Sequence, residues 1–229
     1  MSDTKASPAK RRTAAALALA GLVALTGCQT ETRQDDGPQV DVLGSMLASE
    51  SELNTMLGTD SLRPKTALRV PAKVDGDEQA SRPECVVVIG NAMDWLYRDS
   101  DYHQFRETLF TDDTGDLEVD QAVTTFDNPA AARSVVTRTV AVWRQCANDT
   151  LTISEAGNDT PDVFLLAAPD VLDGVDVTHN DSPVYPGYGS RRAILAVDNM
   201  VVDVRITGQD ISDGTAVQLA KTIAGRNAL

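Results

Sequence analysis

The stretch from Asn128 to Cys146 constrains the fold more than any other. Asn128 offers a side-chain acceptor at a helix N-cap, and Pro129 stands at the first helical position, where its missing N–H leaves nothing unsatisfied. Ala132, Val135, Val136, Thr139, Val140 and Trp143 then recur at three- and four-residue steps. That spacing predicts a long helix with one apolar face, and Cys146 falls close to the same stripe. A helix of this kind must lie on a partner layer, and the rest of the chain supplies one.

Residues 105–110 and 117–126 alternate apolar and polar side chains around a candidate turn at Asp112-Asp113-Thr114-Gly115. Residues 193–197 and 201–206 flank the tight Asp198-Asn199 turn, a second hairpin. Short strands are expected at 150–154, 163–168 and 171–178, and another at 67–70. Ser49 and Glu52 form a capping box for a first helix carrying Leu53, Met56 and Leu57, with Gly58 at the C-cap. A last helix opens at Asp213-Gly214 and presents Val217, Ala220, Ile223 and Ala224 on one face. Residues 59–84, broken by Pro64, Pro71, Gly76 and Pro83, read as an extended surface excursion. The apolar run Val86–Ile89 has no decisive period, and residues 92–97 fit a helical turn or a strand equally well. Helices at the start, middle and end with hairpins between them predict an α+β fold, an antiparallel β-sheet flanked by helices. The βα alternation of a parallel nucleotide-binding sheet is absent.

The N-terminus has the form of an export signal. Lys5, Lys10, Arg11 and Arg12 precede an uncharged Ala/Leu-rich run from Thr13 to Leu25. Such a run matches the h-region of a signal peptide, about 7–15 residues, and falls short of the ~18 needed to span a bilayer. Leu25-Thr26-Gly27-Cys28 resembles a bacterial lipobox, whose cysteine receives a diacylglycerol and becomes the first residue of the mature protein. Residues 1–27 are therefore expected to be a lipoprotein signal peptide and Cys28 the lipidation site. Residues 28–40, polar and interrupted by Gly37-Pro38, read as a flexible tether, and 41–229 as the folded domain. The chain is expected on the outer face of the cell membrane, held there by lipid on Cys28.

The formal charge is −14 for the whole chain. Phosphate backbones and anionic headgroups repel such a surface, so nucleic acid is excluded as a partner and membrane contact is left to the acyl chains. With Cys28 assigned to the lipobox, Cys85 and Cys146 remain as an even pair in an oxidising compartment. A disulfide is the favoured reading; metal ligation and a reactive thiol are the rivals, although zinc would need more Cys or His at short spacing.

Catalytic motifs are scarce. The chain has no G-x-S-x-G, S-x-x-K, H-E-x-x-H or P-loop pattern, and no cofactor or metal site is expected. His103 and His179 read as solvated or locally bonded, and Trp95 and Trp143 as core residues. Carboxylate pairs such as Asp112/Asp113 and Glu118/Asp120 are numerous, but 34 acidic residues make chance pairs inevitable. One segment differs from the rest: residues 185–192 (YPGYGSRR) set two of the four tyrosines beside glycines and a basic pair. Tyr185, Tyr188, Arg191 and Arg192 are the candidate ligand-binding residues, since exposed Tyr beside Arg suits stacking on sugars or polar lipid heads and pairing with anions.

Several motifs in order resemble a known family. They are the helix at 49–58, Pro83-x-Cys85, and Val123-x-x-Phe126-x-x-Pro129-x-Ala131-Ala132. Ala141-x-Trp143-x-x-Cys146 and the closing Asn199-Met200-Val201-Val202-Asp203-Val204 with its helix complete the set. Over residues 42–226 the chain is similar to the PknH-like extracellular sensor domains of actinobacterial transmembrane kinases and to mycobacterial lipoproteins built from that domain alone. The resemblance implies an antiparallel sheet with flanking helices around a V-shaped cleft that receives an envelope ligand. Many members carry two disulfides, whereas this chain can form one. No kinase domain or transmembrane helix is expected beside the domain in this sequence, so any signal is expected to leave through a partner or not at all. The expected function is that of a non-enzymatic cell-envelope lipoprotein whose sensor-type domain binds a small molecule, glycolipid or cell-wall fragment. A protein–protein interaction module of the envelope is the alternative. A hydrolase ranks third and would require His103 or His179 within reach of a Ser, Asp or Glu in a pocket.

Overall fold

The computed structural model describes residues 41–73, 78–155, 157 and 160–228. The signal peptide, Cys28 and the whole of the tether region, residues 28–40, lie outside the described residues. Helix α1 (Val42–Ser45) is capped by Asp41, and α2 (Glu50–Leu57) begins at the Ser49/Glu52 capping box and ends at Gly58, φ 65°. Strands β1 (Arg63–Leu68) and β2 (Glu78–Ala80) follow, then a 3₁₀ turn (Pro83–Cys85) and the short helices α3 (Val86–Ile89) and α4 (Asp94–Tyr97). Strands β3 (Gln104–Thr111) and β4 (Glu118–Thr125) form the first hairpin and lead into α5 (Pro129–Gln145). Strands β5 (Thr150–Glu155), β6 (Asp162–Leu166), β7 (Asp170–Leu172), β8 (Val175–Asp181), β9 (Tyr188–Val197) and β10 (Met200–Gln209) precede α6 (Asp213–Ala224).

The ten strands form one antiparallel sheet in the order β1-β3-β4-β10-β9-β8-β6-β5-β2, with β7 paired to β8. Helices cover both faces. On one, α1, α2 and α6 pack through Leu43, Leu53, Leu219 and Ile223 onto Val119, Val202, Val204 and Ile206. On the other, the buried stripe of α5 packs with α3 and α4 onto Phe105, Ala122, Ile194 and Val201. Successive residues of β10 divide between the two layers because a strand alternates its side chains. Asn128 accepts hydrogen bonds from the N–H groups of Ala130 and Ala131, which fixes the start of α5. Its end is fastened by a disulfide, Cys146 to Cys85, with S–S 2.07 Å. The two cysteines sit 61 positions apart, so the bridge ties the last turn of α5 to the segment that opens α3.

The structure departs from the sequence expectations in several places. Val86–Ile89, whose spacing gave no period, is a helical turn whose Val87 and Ile89 carbonyls accept from Arg192 and Arg205. The strand expected at 67–70 begins earlier, at Arg63, and accommodates Pro64 because β1 is an edge strand with a register shift between Pro64 and Thr66. The strand expected at 171–178 is two strands around a turn, with Asp173 and Gly174 at φ 53° and 80°. Trp143 is fully buried as expected, but Trp95 is 46 % exposed, because α4 is a single turn whose Leu96 and Tyr97 face the core instead. Among the described residues, no helix is long and apolar enough to cross a membrane.

Candidate functional site

A recess of about 450 Å³ opens on the sheet face that also carries α3, α4 and α5. That volume is within the range of small-molecule sites, about 300–1,000 Å³. Its floor follows from strand register. Glu118 of β4, Thr207 of β10, Ser190 of β9 and Asn180 of β8 are direct cross-strand neighbours, so all four side chains point to one face. Arg205 belongs to the adjacent row, opposite Asp120 on one side and Arg192 on the other. Ile89, at the end of α3, forms one wall; Phe164 of β6 and the 184–188 segment, with Val184, Tyr185 and Tyr188, form the other.

Polar contacts organise this floor. Arg205 donates from Nη1 to the carbonyl of Ile89 at 3.1 Å, which joins the floor to its wall. Its Nη2 lies 3.8 Å from Glu118 and 3.6 Å from Asp120, close enough to balance charge yet outside hydrogen-bond range. Arg205 Nε and Thr207 Oγ1 are buried with no hydrogen-bond partner among the described residues. Asn180 donates to the Ser190 hydroxyl.

Behind the floor lies a buried ionic layer. Glu107 of β3 stands beside Asp120, and burial, reinforced by the Asp120 charge, pushes the Glu107 carboxyl far above the usual range. Burial also raises Asp120, against the opposing pull of Arg205. Burial and the mutual repulsion of the two carboxyls thus both favour keeping a proton on this pair. One row further, Arg192 and Asp203 form a bidentate pair at 2.9 and 2.6 Å, and both are essentially inaccessible. Arg192 also donates to the carbonyls of Val87 and Gly90, and its guanidinium lies 5.1 Å from the Trp143 ring centroid. Asp203 accepts from the Ala92 N–H at 3.0 Å. The α3 segment thus caps buried charges with its carbonyls.

The four residues singled out from sequence separate. Tyr185, 66 % exposed, and Tyr188 line the recess. Arg191 and Arg192 do not. Consecutive strand residues face opposite ways, so Arg192 points into the core toward Asp203 and is sealed from solvent. Arg191 points to the α6 side, where it lies 2.9 Å from Asp181 and 3.8 Å from Asp213. Neither lines the recess to meet a ligand there. The arginine in the recess is Arg205, which the sequence reading missed together with Glu118, Thr207, Ser190 and Asn180 as site residues. The signal was present in the period-two placement of Asp203, Arg205 and Thr207 within an otherwise apolar strand.

The histidines lie elsewhere. His103 pairs with Asp127 at an exposed position, and His179 stands 3.6 Å from Asp213, an interaction that holds the Asp213 carboxyl below the usual range. Neither lines the recess. Among the described residues no group of three or more His, Cys, Asp or Glu is placed to hold a metal ion.

The family model of the PknH-like extracellular domain matches residues 38–226. The chain belongs to the PknH-like extracellular domain family. Members with curated descriptions include serine/threonine-protein kinase PknH of Mycobacterium bovis and of Mycobacterium tuberculosis, each 23 % identical over 185 residues. Those alignments cover 79 % of this chain but only 30 % and 29 % of the kinases, so the chain spans under a third of their length. The crystal structure of the extracellular domain of PknH from M. tuberculosis superposes with a TM-score of 0.74 at 23 % identity. It covers 82 % of this chain and 95 % of that domain, so this PknH-like domain shares its fold along nearly the whole of the solved chain. Membership makes residues 38–226 an extracytoplasmic domain of sensor type.

Proposed function

We propose that this protein is a cell-envelope lipoprotein, anchored by lipid on Cys28 to the outer face of the membrane, whose PknH-like domain receives a small envelope molecule without transforming it. The supporting observation is the recess, which combines aromatic walls with a floor of hydrogen-bonding side chains drawn from four adjacent strands. Rigid strands hold that floor, and they position side chains better than loops do. Residues 1–27 are removed as a signal peptide in this reading, and 28–40 form the tether. The ligand class is a small molecule, glycolipid or cell-wall fragment.

The test is thermal unfolding of the full chain against fractionated envelope lipids and glycans, in parallel with a Tyr185→Ala variant. Tyr185 is exposed enough for its loss to spare folding. A ligand at about one hundred times its Kd stabilises the native state by about 2.7 kcal/mol, a readily measured rise in melting temperature. The rise is expected in the parent chain and reduced in the variant. A rise unaffected by the variant, or none across the panel, overturns the receptor reading. Intact mass of the membrane-extracted protein checks the anchor: a diacylated Cys28 at the N-terminus is expected, and an unmodified, unprocessed start refutes it.

A further inference from the structure

The recess has a chemistry more specific than the receptor reading, on which this inference rests. The charged side chains on its lining are Glu118, Asp162 and Arg205, so a negative ligand meets more acid than base. Arg205, the cation of the floor, is already balanced by Glu118 at 3.8 Å and by Asp120 at 3.6 Å. A phosphate or carboxylate would have to displace that balance in a chain of formal charge −14. A cationic ligand fares no better, because the guanidinium stands on the floor itself.

The donor and acceptor pattern points to the class that remains. Arg205 can only donate, and the Glu118 carboxylate is an acceptor. At 3.8 Å they do not hydrogen-bond each other, so both keep hydrogen-bonding capacity for a third group. Thr207, with an unpartnered buried hydroxyl, stands directly opposite Glu118 and two residues along β10 from Arg205, with Ser190 as its neighbour on the other side. A group that accepts from Arg205 while donating to Glu118 satisfies both at once, and an alcohol does this without carrying charge. Above the floor, the rings of Tyr185, Tyr188 and Phe164 supply flat apolar surface. Tyrosine suits partners with an apolar face and a polar edge.

We infer that the recess binds an uncharged saccharide, one sugar hydroxyl bridging Arg205 and Glu118 while the C–H face of a ring lies against the tyrosines. The experiment is an NMR titration of the isotopically labelled full chain with three probes: N-acetylglucosamine oligomers, dodecyl phosphate and choline. The neutral oligomers are expected to shift the Tyr188, Ser190 and Thr207 signals saturably. Glu118→Gln, which turns a pure acceptor into a mixed group, and Thr207→Val are each expected to weaken binding about tenfold while leaving the thermal midpoint in place. Shifts at the same signals from dodecyl phosphate or choline, with none from the oligomers, overturn the saccharide assignment and leave the receptor reading standing. No shift from any of the three overturns both. Saccharide shifts that map elsewhere on the surface, or are indifferent to Glu118→Gln, also overturn the assignment.

Discussion

Replacing Asp203 by alanine would expose how strongly the closed face of the sheet depends on one carboxylate. Asp203 is fully buried and makes a bidentate pair with Arg192, which is itself 1 % exposed. Removing one partner of a buried ion pair costs about 3–5 kcal/mol, because the other charge stays behind without compensation. The Ala92 N–H loses its acceptor at the same time, and a buried donor left unsatisfied costs about 1–3 kcal/mol more. The loss of roughly 4–8 kcal/mol is comparable with the entire stability of a domain, about 5–15 kcal/mol. Urea unfolding followed through tryptophan emission is the assay, since Trp143 lies against Arg192. With a slope near 2 kcal/mol per molar, the midpoint should fall by about 2–4 M. A paired exchange, Arg192→Met with Asp203→Leu, separates two explanations. Apolar replacement of an isolated buried pair is often neutral or gains about 1–4 kcal/mol. Here it strands the Gly90 carbonyl and the Ala92 N–H and leaves the Val87 carbonyl only the Trp143 indole N–H, so a loss of at least about 2 kcal/mol is expected. The reasoning is refuted by a loss under about 1 kcal/mol for Asp203→Ala, or by a double variant as stable as the parent.

Removing the bridge with Cys85→Ser and Cys146→Ser frees a 61-residue loop in the unfolded chain and should cost about 4 kcal/mol, read from the shift in urea midpoint. Glu107 has a folded pKa raised from 4.5 to about 10, so its contribution to stability is complete below the unfolded value and declines as pH rises through that window. Glu107→Gln, which cannot ionise, should flatten the stability profile between pH 5 and pH 9 in calorimetry; an unchanged profile contradicts the assignment. Asp213 has a depressed pKa, so its contribution is present above the unfolded carboxylate value and is lost on acidification. Asp213→Asn should therefore reduce the acid dependence below pH 4. Gly189→Ala would drive a methyl group into the Asn180 backbone carbonyl, forcing β8 and β9 apart beside the recess. A loss of about 1–3 kcal/mol is expected, with amide shifts concentrated along 180–190.

Local chemistry made the helices readable. The Asn128-Pro129 entry, the Ser49/Glu52 box and Gly58 at a left-handed C-cap each act within a few residues, and the buried stripe of α5 is the one its spacing predicts. The 105–126 and 193–206 hairpins were legible for the same reason. Val86–Ile89 was not, because its conformation answers to Arg192 and Arg205, more than a hundred residues away. The site was half legible. Aromatic residues next to glycine singled out Tyr185 and Tyr188 as candidate ligand-binding residues, and both line the recess. The neighbouring arginines lie away from the recess, because a one-residue step on a strand changes faces, and here Arg192 is sealed in the core and Arg191 packs toward α6. Arg205 and Glu118 come together only through the β4–β10 register, which no local pattern specifies.

The disulfide has a consequence for how the recess can move. Cys85 begins the segment whose carbonyls at Val87, Ile89 and Gly90 hold Arg192 and Arg205, and Ile89 is itself the wall above the floor. That side is thus riveted covalently to α5 and electrostatically to the sheet. The opposite bank, the start of β6 and the turn before β9, has no such covalent fastening among the described residues. The molecule is in effect a vice with one stationary jaw.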